Sequence, residues 1–136
     1  MTRQAIRVGI IGTGRISDLH VIEYIQNPFS QITALCDQDL DLAKDRAAKW
    51  ECPDAAVTNN YEDLLARDDV DLVELLLPHN LHLPIALKAI EAQKIVSLQK
   101  PMCINLDEAD QLVAATEASP KPFKVFQTTQ SFAKPR

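Results

Sequence analysis

Ile6-Arg7-Val8-Gly9-Ile10-Ile11-Gly12-Thr13-Gly14-Arg15-Ile16-Ser17 is the stretch whose reading decides the fold. Residues 6–11 form a nearly continuous apolar run, the pattern of a strand covered on both faces. The chain has three glycines, Gly9, Gly12 and Gly14, all within its first fourteen residues. Glycine is needed where the backbone takes φ > 0 or where a ligand comes close, so this strand-to-helix junction is special. Gly12-Thr13-Gly14-Arg15-Ile16-Ser17 is a G-x-G-x-x-S form of the dinucleotide fingerprint. Gly12 makes the tight turn, Gly14 lets main-chain N–H groups approach a pyrophosphate, and Ser17 is small enough for close helix–strand packing. The helix that follows offers its dipole and unpaired donors to the phosphate. The competing reading is a turn that merely packs a helix on a sheet.

Beyond this stretch, short β-branched runs alternate with helical periodicity, the signature of βαβ units and a parallel sheet. The spacing predicts a helix over 15–26, with Ile16, Leu19, Ile22 and Ile25 on one face, the apolar pattern of an amphipathic helix, and Asn27-Pro28 as its stop. A strand over 31–36 and a helix over 40–50 follow, with Asp37 and Asp39 near the helix start, where negative charge suits the dipole. Next come a short strand at 55–58, a helix at 61–67 capped by Asn59 or Asn60, and a strand at 70–77 ended by Pro78. A helix over 81–93 turns Leu83, Ala86, Leu87 and Ile90 inward, and a strand runs over 94–98. A loop leads to a helix over 106–118, whose start carries the capping box Asn105 and Glu108. The last strand is 124–128. The expected fold is α/β: a Rossmann-type, doubly wound parallel sheet in three layers, with residues 1–128 as one dinucleotide-binding domain.

The bulk composition narrows the function. With 136 residues the chain makes one ordinary domain with a real core. It carries 14 Lys and Arg against 19 Asp and Glu, a net charge of −5. That balance gives no long-range attraction to nucleic-acid backbones or anionic membranes, so neither is an expected partner. No apolar run approaches the roughly 20 residues of a membrane span. The arginines and apolar patch before Gly12 lack the length and cleavage site of a signal peptide, leaving the cytoplasm as the expected location. Cys36, Cys52 and Cys103 are odd in number and unpatterned, as in a reducing compartment.

Asp37 ends the second strand, 23 positions after Gly14. There a carboxylate accepts hydrogen bonds from adenosine ribose hydroxyls and repels a 2′-phosphate, and Gln38 adds no cation, so NAD is expected over NADP. The alternative for Asp37 is a helix cap. Ligands of open α/β sheets sit outside the carboxyl ends of the strands. Strand four ends in Leu77-Pro78-His79-Asn80-Leu81-His82 and strand five in Gln99-Lys100-Pro101, so both sets should join the glycine turn at one edge. His79 contacts either cofactor or solvent. His82 reads as a positioning or packing histidine rather than an acid–base group, and His20 as structural. The histidines lack a third ligand at workable spacing, so no metal is expected. Cys103 has no sequence-near histidine base and is not a nucleophile candidate.

Four stretches together resemble the N-terminal half of the Gfo/Idh/MocA oxidoreductases: Val8 to Ile16, Ala34-Leu35-Cys36-Asp37, Asp69-Val70-Asp71 running into Pro78-His79-Asn80-Leu81-His82, and Gln99-Lys100-Pro101-Met102 with Leu106-Asp107-Glu108-Ala109. The resemblance implies an NAD(P)-dependent dehydrogenase acting on a sugar, polyol or similar small-molecule hydroxyl or carbonyl compound. It places the cofactor on Gly12, Thr13, Gly14, Arg15, Ile16, Asp37, Leu77, Pro78, His79, His82, Gln99 and Lys100. It gives Lys100 the catalytic position beside nicotinamide and substrate, with Pro101 often cis in the family. The family's Glu-Lys-Pro is Gln99-Lys100-Pro101 here, which removes a charged neighbour from Lys100. Asparagine and histidine are exchanged at His79 and Asn80, and the usual glycine before strand five is Gln93.

Family members are more than twice as long. Their second, sheet-rich domain supplies the substrate floor, the oligomer interface and an Asp…His pair that handles the proton. Residues 129–136 are therefore expected to begin a linker to such a domain, and the chain to be a homo-oligomer that does not complete the reaction by itself. The alternatives are a stand-alone nucleotide-binding or redox-sensing module, and an interaction domain whose turn no longer holds a ligand.

Overall fold

In a computed structural model of the chain, residues 5–99 and 106–126 are described. Six strands, β1 (Ile6–Ile11), β2 (Ser30–Cys36), β3 (Ala56–Thr58), β4 (Leu72–Leu75), β5 (Ile95–Gln99) and β6 (Phe123–Phe126), form one sheet in the order β3-β2-β1-β4-β5-β6. Every neighbouring pair is parallel. Crossovers run outward from β1 to β3, then return to β4 on its other side. That reversal creates the switch point at which open α/β sheets hold ligands. Five helices connect the strands: α1 (Ser17–Gln26), α2 (Leu40–Lys49), α3 (Tyr61–Leu65), α4 (His82–Glu91) and α5 (Leu106–Glu117). The expected doubly wound architecture is the one present, and the strand and helix limits differ from the sequence reading by a few residues.

The core lies in two layers. On one face Val8, Ile10 and Leu35 of the sheet pack against Val21 of α1 and Ala47 and Trp50 at α2. On the other, Val73, Leu75, Val96 and Leu98 meet Leu64 of α3, Ala86 and Ala89 of α4 and Leu112 of α5. At the amino end of the strands, Arg7 grips Asp71 with Nε and Nη2, each at 3.0 Å, and with its backbone N–H at 2.9 Å. That grip holds the Asp71 carboxyl below the usual carboxylate range.

One expectation about α1 is overturned. Ile16, Leu19, Ile22 and Ile25 are the exposed residues, at 48%, 73%, 49% and 48%. Ser17 and Val21 are buried instead, with Tyr24 half-buried. The reason is geometric. A strict i, i+3 series slips about 60° round the helix at each step, so four such residues spiral across half its circumference. The 17, 21, 24 series, spaced 4 and 3, stays on one face. The helix also starts at Ser17 rather than at residue 15.

Strand four carries a residue that the apolar reading of 70–77 passed over. Glu74 is 4% exposed and accepts hydrogen bonds from the Tyr24 hydroxyl and, at 3.1 Å, from Ser97 Oγ. A buried carboxylate is tolerated when such donors surround it. Burial and this carboxylate push the Tyr24 phenol well above its ordinary pKa.

Gln93 stands where the family resemblance calls for glycine, and its φ is 61°. It closes α4 as the left-handed residue of a Schellman motif: the Lys94 N–H donates to the Ala89 carbonyl at 3.1 Å and the Gln93 N–H to the Ile90 carbonyl at 2.9 Å. Glu51, with φ 56°, ends α2 in the same way. A side chain with a Cβ is strained in this region by about 1 kcal/mol or more. We therefore expect Gln93→Gly and Glu51→Gly each to stabilise the fold by about 1 kcal/mol, raising Tm by roughly 3 °C. Calorimetry checks this, and a fall in Tm for both would show that the side chains earn more contacts than their backbone strain costs.

Candidate dinucleotide site

The carboxyl ends of β1 to β4 surround a cleft of about 710 Å³. The glycine turn forms one wall, Asp37 and Gln38 a second, and Leu76, Leu77 and Pro78 a third. A smaller cleft of about 400 Å³ lies near Ser30 and Trp50, at the amino end of β2, and no fingerprint residue lines it.

Gly12 takes φ 100°. A Cβ there would stand 2.9 Å from the Leu76 carbonyl carbon and closer still to its oxygen, so the turn passes directly against the end of β4. A Cβ on Gly14 would meet nothing within 4 Å. Gly14 therefore borders open space, the arrangement a close-approaching ligand requires. Among the described residues, no hydrogen bond engages the N–H of Gly14, Arg15 or Ile16, and no side chain caps α1. Three donors stand free at a helix start, where the dipole favours an anion.

Across the turn, Asp37 Oδ2 accepts from the Thr13 N–H at 2.8 Å and the Thr13 hydroxyl at 2.9 Å. Its Oδ1 accepts from the Asp39 N–H at 2.9 Å. The cap of α2 is Asp39, which accepts from the Leu42 N–H, so the capping alternative for Asp37 does not hold. An ionised carboxylate has about four acceptor sites, and three are used within the chain. One remains on Oδ1 for a ligand hydroxyl.

The sequence-identified residues divide by position. Gly12, Gly14, Asp37, Leu77 and Pro78 line the cleft, while Arg15 and Ile16 are exposed at the start of α1. Thr13 and His82 are fully buried behind the cleft. His82 Nε2 lies 2.9 Å from the Leu77 carbonyl, so the ring shapes the end of β4 rather than lining the cleft. His79 opens a 3-10 turn over His79–Leu81, and Gln99 ends β5. The side chains of these two lie outside the described set, as do Lys100, Pro101, Cys103 and the Asn105 cap. His20 is half-buried on α1, and burial lowers its pKa. Cys36 also lines the cleft, and burial with nearby Asp37 and Asp63 pushes its thiol up to about 11. It is protonated at neutral pH and a poor nucleophile. Among the described residues, no group of three or more His, Cys, Asp or Glu is placed to hold a metal ion, and no helix is long and apolar enough to cross a membrane.

Sequence reasoning missed Leu76, Asn60, Tyr61 and Ile85, which complete the cleft, and Arg46, whose Nε donates to the Thr13 carbonyl at 3.1 Å. Leu76 was legible as part of a strand but not as the stop against which the turn rests. Nothing in the local sequence around Arg46 marks it.

A glycine turn with unengaged amides at a helix start, beside a carboxylate-lined cleft at the switch point of a doubly wound parallel sheet, is the arrangement of a Rossmann domain. Residues 6–127 match the family model GFO_IDH_MocA, described as an oxidoreductase family with an NAD-binding Rossmann fold. The chain belongs to this Gfo/Idh/MocA oxidoreductase family. It is 35% identical over 123 residues to a glycosyl hydrolase family 109 protein of Shewanella baltica, covering 85% of this chain and 27% of that protein. Among solved structures it resembles a 3-ketoreductase from Actinomadura kijaniata in complex with TDP-benzene and NADP. That match has 28% identity and a TM-score of 0.83, covering 90% of this chain and 38% of the other. It also resembles GenD2 from gentamicin A biosynthesis in complex with NAD, at 26% identity and a TM-score of 0.83, covering 90% of this chain and 34% of the other. The chain thus spans 27% to 38% of the length of these three proteins.

Proposed function

We propose that the chain is the cofactor half of a dehydrogenase that moves hydride between NAD(H) and a sugar- or polyol-like hydroxyl or carbonyl compound. The observation that carries this reading is the set of N–H groups at Gly14, Arg15 and Ile16 that engage no hydrogen bond among the described residues, on a turn whose Gly14 lines the same cleft as Asp37. The amides hold the pyrophosphate, and the Arg15 side chain at the start of α1 adds positive charge beside it. Asp37 takes a ribose hydroxyl on its remaining acceptor site. Its negative charge disfavours a 2′-phosphate, which supports NAD over NADP. A bound nicotinamide would supply the hydride-accepting and hydride-donating chemistry at the substrate carbon.

Lys100 directly follows Gln99, the last residue of β5, in the sequence. In this reading its ammonium hydrogen-bonds the reacting oxygen, orienting it and stabilising the charge that develops there. The name of the Shewanella relative, a glycosyl hydrolase, supports a sugar-like substrate. The 27% share of that relative supports a further domain that carries the substrate floor and the proton-handling pair.

Titration with NADH, followed by cofactor fluorescence, tests the reading. We expect saturable binding below millimolar concentration, with NADPH binding more weakly. No binding at millimolar NADH sinks the proposal, and equal affinity for the two cofactors removes its NAD preference.

A further inference from the structure

Thr13, between the two turn glycines, is gripped at every polar atom. Its N–H and hydroxyl go to Asp37, and its carbonyl accepts from Arg46 Nε at 3.1 Å. Arg46 reaches this carbonyl from α2, 33 positions further along the chain, with a side chain only 17% exposed. Its Nη1 also meets Asp45 Oδ2 at 3.3 Å.

A trans peptide is planar, with its C=O and N–H pointing to opposite edges. The Thr13 carbonyl and the Gly14 N–H belong to one such unit. Holding the carbonyl toward Arg46 therefore aims the Gly14 N–H away from α2. The next unit repeats the device. The Gly14 carbonyl accepts from the Ser17 N–H at 3.0 Å and from the Ser17 hydroxyl, which aims the Arg15 N–H the opposite way. A glycine between two peptide units leaves both free to rotate at little cost, so the aim of these amides depends on what grips their carbonyls. A charged donor on the carbonyl also polarises the peptide and strengthens the N–H on its far edge.

We propose that Arg46 and Ser17 are positioning residues for the anion subsite: each grips the rear of one peptide unit and thereby directs the N–H of Gly14 or Arg15 at the ligand's phosphates. The inference rests on the dinucleotide reading above and adds how its phosphate end is set. It also gives Ser17 a second role, since its hydroxyl fixes a peptide in addition to fitting the helix against the sheet.

The test compares ADP with adenosine, two probes that differ in the phosphates alone. Arg46→Met keeps the length and apolar stem of the side chain but removes its donor and charge. We expect it to weaken ADP about tenfold, leave adenosine within about twofold, and keep that selectivity at about 0.5 M salt, where simple charge attraction is screened. Ser17→Ala should weaken ADP about threefold with adenosine unchanged, and Arg46→Lys should restore part of the loss. An Arg46→Met chain that binds ADP as the wild type does overturns the inference while leaving the dinucleotide site standing. So does an equal loss of ADP and adenosine, which marks a merely structural role, or a loss that vanishes at high salt. If Arg46→Met does not fold, the ADP-to-adenosine ratios of Ser17→Ala and Arg46→Lys decide. A wild-type chain that binds neither probe overturns both the inference and the site.

Discussion

Gly12→Ala should destabilise the fold by about 4 kcal/mol, whereas Gly14→Val should leave the fold intact and weaken dinucleotide binding about a hundredfold or more. The two glycines sit two positions apart and do opposite work. At Gly12, φ is 100° and the added Cβ runs into the Leu76 carbonyl, which is backbone and cannot rotate away. Backbone strain of about 1–3 kcal/mol adds to a steric clash at the centre of the sheet, for a total of roughly 4 kcal/mol. Domains of this kind have about 5–15 kcal/mol of stability in all. The damage spreads because the Gly12 N–H also donates to the Cys36 carbonyl at 2.8 Å, tying the turn to the end of β2.

Gly14 has neither constraint. Its φ is not in the left-handed region, and nothing stands within 4 Å of an added Cβ. A valine there fills the space that the phosphates would occupy. Losing two or three charge-assisted hydrogen bonds weakens binding by about a hundredfold or more. Urea denaturation and NADH titration of both variants separate the roles. Unchanged NADH affinity in Gly14→Val means that the pyrophosphate does not lie on this turn. A large loss of stability in the same variant means that the space beside Gly14 is needed by the protein itself.

This pair also shows what kind of information a local sequence holds. The turn was legible because its chemistry is contiguous: strand, two glycines and helix start lie within twelve residues, and Asp37 follows at a set distance along a regular βαβ unit. Arg46 was not legible, because its role depends on α2 folding back over a turn 33 positions earlier, and an arginine in a charged, exposed-looking helix carries no local mark. The buried face of α1 was misread for a different reason. Isoleucines and leucines at i, i+3 spacing outweighed the smaller Ser17 and Val21, which together with Tyr24 keep the 4-and-3 spacing of a single face and pack with Val8, Ile10 and Leu35. Glu74 escaped notice because its solvation is tertiary: its donors come from α1 and from β5. Gln93 is the converse case. Its left-handed backbone is written in the motif that closes α4, and its amino acid disguises the requirement.

Replacing Asp37 with asparagine should invert the cofactor preference with little change in the size of the site. Asparagine keeps the shape of the carboxylate but has one acceptor oxygen. If that oxygen stays with the Thr13 N–H and hydroxyl, the new NH₂ faces the Asp39 N–H and the ribose, donor against donor. NAD then loses its hydrogen bond to a charged acceptor, worth about 1.5–3 kcal/mol or roughly tenfold to a hundredfold in affinity. NADP gains because the repulsion disappears. One unit charge about 5 Å from another, at an effective dielectric constant of about 20, costs about 3 kcal/mol. The two effects act together on the NAD-to-NADP ratio, which should fall by a factor on the order of 10³–10⁴ at low salt and by less at high salt, where the repulsive part is screened. Parallel titrations with NADH and NADPH at two ionic strengths measure this. A ratio that stays fixed while both affinities drop would mean that Asp37 serves the turn through Thr13 and never meets the ribose. Such a result would remove the basis for NAD preference and assign Asp37 to the pyrophosphate end of the site, where it would hold Thr13 from one side while Arg46 holds the Thr13 carbonyl from the other.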